Sequence, residues 1–401
     1  MKRKVVITGA GVVSPIGNTL KDFSQNLKAG VSGKESGKNL DVLGSRFPPV
    51  FRIKEFNPRQ YGTHILDPFI QYAVAAAEDA SADAKFNIQS VDPYSVGLSI
   101  SSSKGGVHTV DRFKERFQKN PSAILGARIY TSSVPNFADQ WIARRNKITG
   151  PAKCYVAACA TGTAAVIAGF RMVQEGQVDY CLAGAADASI TPLMLAGYRN
   201  MKALAKHEIR PFDNRRDGFL LGEGAGVLFL ETLESAEKRG AKIYAEIIDS
   251  AQGQDSKNPI HFDPKEHALS YTLKTLQERS GINAAGVDYI SLHGTGTAYG
   301  DRYETDELKE AFGKAAYGIP MSSIKGATGH TLGAAGAIEI IATIIAMKEG
   351  FIPPTLNLEE KDKRCDLDYT PRKAQTKEIK TALKISMGFG GNIATLLLRK
   401  I

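Results

Sequence analysis

Long apolar runs are missing from this 401-residue chain. No stretch reaches about 18 uninterrupted apolar residues, the length a helix needs to cross a bilayer. The longest candidate, Ala334 to Met347, is broken by Glu339, so no membrane span is expected. Cysteine is scarce as well. Cys154, Cys159, Cys181 and Cys365 show no paired spacing of the kind that holds zinc, and three of them sit among apolar or small neighbours. That usage predicts reduced thiols, a cytoplasmic protein and no metal centre.

Low-complexity tracts and repeats of solenoid length are absent. So are a zinc finger, an RNA-binding aromatic signature and a long Lys/Arg run, and nucleic acid is therefore not an expected partner. Net charge is +9, from 51 basic and 42 acidic side chains. Such a balance attracts acidic partners, although composition alone favours a basic soluble enzyme with no special partner. The start, Lys2-Arg-Lys4 before Val5-Val-Ile7, mimics a signal peptide. Gly9, Gly11 and Pro15 interrupt the apolar stretch, and a first β-strand is the better reading.

What is present is alternation. Apolar β-rich runs at 4–8, 95–100, 153–157, 179–183, 226–231, 289–292 and 382–387 read as strands. Helical patterns cover 67–82, 163–175, 271–280, 304–312 and 335–348. This order predicts a layered α/β fold. A strand entering a Gly-rich turn and a strand running into a buried helix both recur after about residue 241. The chain therefore divides into an N-terminal half, 1–240, and a C-terminal half, 241–401, that loosely repeats it.

Three segments offer one reactive side chain each, set among glycines and small residues: Val156-Ala-Ala-Cys159-Ala-Thr-Gly162, His293-Gly-Thr-Gly-Thr297 and Lys325-Gly-Ala-Thr-Gly-His330. A thiol can take up an acyl group, and two neutral imidazoles can donate hydrogen bonds to an enolate oxygen. The stretch 159–170 contains no charged residue, which marks a helix buried on all sides. Cys159 then lies at a helix N-terminus, where the macrodipole favours thiolate. An inert packed cysteine fits the same pattern equally well. His293 ends an apolar strand in a Gly/Thr loop and can project into a crevice, with Thr295 and Thr297 able to bond an amide-bearing ligand. A satisfied loop histidine is the alternative there. Glu339 is placed to pair with Lys325, as a buried lysine requires.

Two superficial motifs carry no such weight. Lys325 precedes its glycines, the wrong order for a phosphate loop. Thr8-Gly-Ala-Gly-Val-Val-Ser14 invites a dinucleotide reading, but Ser14 replaces the third glycine and Pro15 follows where a helix should run. Near the C-terminus, Gly388-Phe389-Gly390-Gly391-Asn392 makes a flexible turn around one bulky ring.

Taken together, these segments resemble the β-ketoacyl-acyl carrier protein synthases, in the elongating synthase I/II branch of the thiolase superfamily. The resemblance covers nearly the whole chain and includes Arg210-Pro-Phe-Asp213, Arg216-Asp-Gly-Phe219, Gly222-Glu-Gly-Ala-Gly226, Pro353-Pro-Thr-Leu-Asn357 and Cys365-Asp-Leu-Asp368. It implies a thiolase-like, duplicated αβαβα fold of five layers. It also implies decarboxylative condensation of an acyl chain on Cys159 with malonyl-acyl carrier protein, in fatty acid or polyketide biosynthesis. His293 and His330 match the histidines that assist decarboxylation, and Lys325 and Glu339 a supporting pair. Thr295 and Thr297 match the threonines that hold the phosphopantetheine arm. The N–H groups of Cys159 and Phe389 match an oxyanion hole, and Phe389 and Gly390 belong to the substrate-binding turn.

The resemblance further implies acyl carrier protein as partner, a homodimer or else a heterodimer, and no cofactor beyond the carrier's phosphopantetheine. Two rivals remain: a catalytic ketosynthase subunit of a polyketide-type heterodimer, and a non-elongating partner subunit, which usually lacks the cysteine. A degradative thiolase would need a second cysteine in the C-terminal turn, and an initiating synthase an asparagine rather than His330. The chain departs from the family at 56–64, where Arg59 is the one full cation of a usual carrier dock, leaving Arg128, Arg199 and Lys202 to supply a basic patch. It also lacks the threonine common before Asn392. The pocket-depth residues are expected to include Val107, Val110 and Tyr198.

Overall fold

The computed structural model describes residues 2–40, 46–122 and 124–401. Its strands are β1 (Val5–Val13), β2 (Val96–Ser101), β3 (Tyr180–Asp187), β4 (Gly224–Thr232), β5 (Ala245–Gln254), β6 (Tyr289–Ser291), β7 (Met321–Ser322), β8 (Phe351–Ile352), β9 (Gln375–Thr376), β10 (Thr381–Gly388) and β11 (Asn392–Arg399). Nine of them pair in the order β2-β3-β4-β1-β5-β11-β10-β6-β7, while β8 and β9 form a separate ribbon. The long sheet has two wings. They meet where Val5–Ile7 of β1 pairs antiparallel with Ala245–Ile247 of β5.

Pairing within the wings follows one plan. From the meeting strand outward, β1 and β4 are antiparallel, β4 and β3 antiparallel, β3 and β2 parallel. In the other wing β5 and β11 are antiparallel, β11 and β10 antiparallel, β10 and β6 parallel. Helices Thr161–Gln174 and Ala335–Glu349 lie between the wings and pack on both. Their side chains join β1, β4, β5 and β11 in one buried cluster. Helix Pro68–Asp83 covers the outer face of the first wing, and helices Ala268–Ser280 and Ala298–Phe312 cover the second. The result is the five-layer, thiolase-like αβαβα arrangement.

The two central helices are apolar around their circumference because both faces are covered by sheet. They approach closely. A β-carbon on Gly162 would lie 2.7 Å from the Ala337 nitrogen, and one on Gly336 2.6 Å from the Thr163 nitrogen. Glycine is needed at both points.

Most expected elements are present with their ends shifted by a few residues, and the departures have physical causes. β1 does not stop at residue 8 but continues through Gly9 and Gly11 to Val13. A β-carbon on Gly9 would lie 2.2 Å from the Ala80 oxygen, and one on Gly11 2.0 Å from the Ala76 oxygen. Those glycines admit helix Pro68–Asp83 against the strand and bind no nucleotide. The stretch 153–157 is not a strand. It follows a single parallel bridge, Leu98 with Ala152, at a sheet edge where no further strand among the described residues completes a ladder. β5 was not anticipated, since its Glu246, Asp249 and Gln252 mask the alternation; β11 was missed as well.

Candidate active site

Cys159 stands in a 3₁₀ turn, Ala158–Ala160, that leads directly into helix Thr161–Gln174. The residue before it, Ala158, has φ of 48°, a left-handed conformation unusual for a residue with a β-carbon. Strain of this kind persists only where surrounding contacts over-determine it. Here the Ala157 nitrogen donates to Thr161 Oγ1 (2.9 Å) and the Ala160 nitrogen to the Ala157 oxygen (3.0 Å).

The same device recurs in the other half. Leu332, with φ of 50°, opens a 3₁₀ turn, Leu332–Ala334, ahead of helix Ala335–Glu349. In that turn Gly333 occupies the place that Cys159 has in the first. A side chain there would lie 2.4 Å from Asp187 Oδ2. Instead the Gly333 nitrogen donates to Asp187 Oδ2 at 2.6 Å. Asp187 also accepts from Ser102 and Ser103, each at 2.6 Å, and so ties the end of β3 to this turn.

The structure brings the three expected reactive groups to one cavity of about 300 Å³. His330 Nε2 is 3.1 Å from Cys159 Sγ. The rings of His293 and His330 are 5.6 Å apart and nearly perpendicular, at 81°. His330 is held by its backbone: its nitrogen donates to Leu220 and its oxygen accepts from Gly222, at 2.8 and 2.9 Å. Phe219 meets its ring edge-on at 5.1 Å. These are the residues of the Arg216-to-Gly226 motifs, which thus shape the histidine loop.

His293 leaves the end of β6 and is fixed by helix Ala298–Phe312. The nitrogens of His293 and Gly294 donate to the two carboxylate oxygens of Glu304, at 2.7 and 2.8 Å. Asp301 accepts from Gly296 and Phe212, at 3.0 and 2.7 Å. Arg216 reaches the same loop, donating to Ala298 O at 3.0 Å and to Asp362 at 2.7 Å. Thr295 and Thr297 line the cavity with their hydroxyls 3.1 Å apart. Thr297 also caps the helix by accepting from the Gly300 nitrogen.

Beneath the histidines lies a buried charge cluster. Lys325 donates to Glu339 and to the His293 carbonyl oxygen. Glu339 Oε2 is 2.6 Å from a second ammonium, that of Lys384 on β10. Lys384 also donates to the carbonyl of Leu292 at 3.2 Å. Burial foremost, then the cations of Lys325 and Lys384, hold both imidazoles well below their ordinary range. Both rings are neutral at neutral pH. Burial pulls Lys384 below its usual range too, with Glu339 opposing.

One electrostatic expectation is reversed. Burial pushes the Cys159 thiol up to about 11, against the opposing pull of Lys104 and Lys325. Desolvation outweighs the helix N-terminus, and Cys159 rests as a thiol beside a neutral imidazole.

Phe389 lines the cavity, and Gly388 ends β10 hard against the Cys159 turn: a β-carbon there would lie 2.9 Å from the Cys159 nitrogen. Gly390 stands outside the cavity lining. Its nitrogen donates to the Pro259 oxygen at 2.8 Å, so it shapes the turn. Asn392 spans that turn, donating from Nδ2 to the Phe389 oxygen at 2.8 Å. Of the pocket-depth candidates, Tyr198 lines the cavity and Val107 and Val110 do not. Lys202 is exposed at its mouth, and Arg59 is exposed on the 56–64 segment. No group of three His, Cys, Asp or Glu side chains suited to a metal occurs among the described residues.

Sequence reasoning missed Lys384, Glu304, Asp301 and Asp187. Two signals were available: a lone lysine in the apolar run 382–387, and an aspartate closing the small-residue strand at Gly184-Ala-Ala-Asp187.

Comparison with known proteins agrees with this geometry. Residues 2–236 match the family model for the β-ketoacyl synthase N-terminal domain, and residues 244–359 that for the C-terminal domain. A 3-oxoacyl-[acyl-carrier-protein] synthase 2 from Synechocystis sp. is 37% identical, over 100% of this chain and 98% of its own length. The protein of the same name from Coxiella burnetii is 35% identical, over 100% and 99%. Among solved structures, the ishigamide ketosynthase/chain length factor superposes with a TM-score of 0.92 at 30% identity, covering both chains completely. A type II PKS ketosynthase in complex with its acyl-carrier protein and bound to a hexaketide gives 0.90 at 29%, again with full coverage.

Proposed function

The chain belongs to the β-ketoacyl synthase family, and on that footing we propose that it lengthens acyl chains by decarboxylative condensation with malonyl-acyl carrier protein. The observation that carries this reading is the 3.1 Å contact between His330 Nε2 and Cys159 Sγ, with His293 facing the same cavity.

Two half-reactions follow. In the first, Cys159 sulfur attacks an acyl thioester and its proton leaves through His330. The carbon–sulfur bond to the carrier breaks, and the carrier departs as a free thiol. Backbone N–H groups at Cys159 and at Phe389 face the oxyanion that forms in that step. In the second, the malonyl thioester loses carbon dioxide, and the electron pair of the broken carbon–carbon bond becomes an enolate. Neutral His293 and His330 donate hydrogen bonds to its oxygen. The enolate carbon then attacks acyl-Cys159, the thioester bond to sulfur breaks, the Cys159 sulfur takes up a proton from solvent, and a β-ketoacyl carrier two carbons longer leaves.

Loss of carbon dioxide drives the sequence, so the chemistry requires no redox or metal group. In this reading Thr295 and Thr297 hold the phosphopantetheine arm and Phe389 gates the acyl pocket, roles supported by the cavity that all three line. Lys325 and Glu339 are positioning residues. Gly390 acts through the turn it forms.

We divide the chain into halves at 240/241, a reading supported by the repeated wing order; Cys159 then belongs to the first half and both histidines to the second. Four free cysteines support a reducing, cytoplasmic setting. Acyl carrier protein is the macromolecular partner. A second copy, or a sister chain in a heterodimer, completes the assembly. Retention of Cys159 argues against a non-elongating partner subunit.

Intact-mass analysis tests the assignment. Incubation with an acyl thioester is expected to give one adduct, lost in Cys159→Ala. His293→Ala and His330→Ala are both expected to lose malonyl decarboxylation; His293→Ala keeps acylation at the parent rate, and His330→Ala still acylates but more slowly, because the thiol has lost the ring that takes its proton. An adduct persisting in Cys159→Ala sinks the assignment.

A further inference from the structure

Within the cavity one polar group has no task in this chemistry. Tyr198 ends helix Pro192–Asn200, is only 8% exposed and lines the same cavity as Cys159. Its ring stands edge-on to Phe219 at 5.4 Å, and Phe219 in turn packs against His330. The surroundings are apolar: Ile190, Leu195, Phe219 and Leu332 form its cluster, with Cys159 and Phe389 packed against them. Among the described residues its hydroxyl has no hydrogen-bond partner, and it is not one of the polar atoms sealed from the cavity.

We propose that the Tyr198 hydroxyl selects the acyl chain carried on Cys159, favouring chains that present a carbonyl or hydroxyl oxygen over plain alkyl chains. The proposal rests on the condensing activity and names its substrate class. An alkyl chain lying against Tyr198 strips water from the phenol and returns no hydrogen bond. An oxygenated chain restores one. Sites built to bond a polar substrate group reject the analogue that lacks it, because the protein's own group is left unpaired. Among the other polar side chains of the cavity, Asp217 accepts from the Lys206 nitrogen at 3.2 Å, and the two threonines bond each other. Lys202 and His261 also line the cavity but are exposed at its mouth, and the exposed Tyr299 donates to the Phe262 oxygen, so the tyrosine is the buried polar group left over for the chain.

Tyr198→Phe removes the hydroxyl and no hydrogen bond within the protein, so the variant is expected to fold and melt as the parent does. The probes are six-carbon thioesters of acyl carrier protein: hexanoyl, 3-oxohexanoyl and 5-oxohexanoyl. Transfer to Cys159 is followed by intact mass. The parent is expected to prefer at least one oxo chain about ten-fold, the equivalent of about 1.4 kcal/mol. Tyr198→Phe is expected to lose that preference, its transfer of the oxo chains falling to the hexanoyl level. An unchanged ratio in the variant overturns the proposal, as does an equal fall for all three thioesters, which places the hydroxyl on the shared arm. Failure of all three to acylate the parent overturns the condensing activity itself, and this inference with it.

Discussion

Glu339 stands between two buried ammonium groups, accepting from Lys325 with one carboxylate oxygen while the other lies 2.6 Å from Lys384. Lys325 reaches onward to the His293 carbonyl and Lys384 to that of Leu292. The cluster therefore pins the histidine strand from below and keeps positive charge under both imidazoles. Glu339→Gln leaves two cations with no direct ion-pair partner, and removing one member of a buried ion pair typically costs about 3–5 kcal/mol. Lys384→Met leaves Glu339 still paired with Lys325, and a smaller loss is expected. Urea unfolding of the two variants checks the order. Equal stabilities would show that the carboxylate does not bridge.

The same charges set a pH dependence. In the folded protein both histidines lie well below the ordinary imidazole value of 6.5, through burial first and the two lysines next. The unfolded chain therefore binds protons at these groups that the native state refuses. Their contribution to stability is present above about pH 6.5 and is lost as pH falls below it. Malonyl decarboxylation is expected to stay flat from pH 8 to below 6.5, because the rings remain neutral. Lys384→Met withdraws one cation and moves the acid limb upward. An acid limb near 6.5 in the parent protein would contradict neutral, desolvated imidazoles.

Cys159 has the opposite sign. Its thiol is pushed up to about 11 by burial, so the native state holds a proton that the unfolded chain releases nearer pH 9. Stability from this group is present below about pH 9 and declines as pH rises through about 11. Alkylation by iodoacetamide, followed by mass at Cys159 with Cys159→Ala as the blank, is expected to rise through pH 9 without levelling. A plateau near pH 7 would mean that the helix N-terminus wins after all.

The reactive groups were legible because chemistry and backbone demands coincide in sequence. His293 and His330 stand beside glycines that hold positive φ, and Cys159 lies in a charge-free run three residues before Gly162, which the contact between the central helices requires. The supporting charges were hidden for a different reason. Lys384 reaches the site only because β10 pairs with β6 in the register Lys384 opposite Ser291, two residues before His293. Nothing local to 381–388 announces that partner. Glu304 and Asp301 likewise act through backbone nitrogens, which carry no residue signature. The thiol's reversed shift came from competition: the helix terminus could be read from sequence, whereas the depth of burial that outweighs it is a tertiary quantity. At 153–157 the pattern was strand-like, and what failed was the neighbour.

That failed strand leads to a final prediction. The segment follows the bridge at Ala152 and lies along the outer edge of the first wing, with Tyr155 and Val156 41% and 61% exposed. The matching edge of the second wing is closed by β7, parallel to β6. An apolar, unpaired edge is an invitation to another chain's strand. A second copy related by a two-fold axis presents the same segment in return. Val156→Asp places a carboxylate opposite its own image on that seam, at a residue that is 61% exposed in the protomer. The variant is expected to sediment as a monomer, or with dimer affinity weakened at least ten-fold, while the far-ultraviolet spectrum of the fold is unchanged. A dimer of undiminished affinity in the variant would remove this edge from the assembly, and with it the explanation of why 153–157 carries a strand pattern that one chain alone does not use.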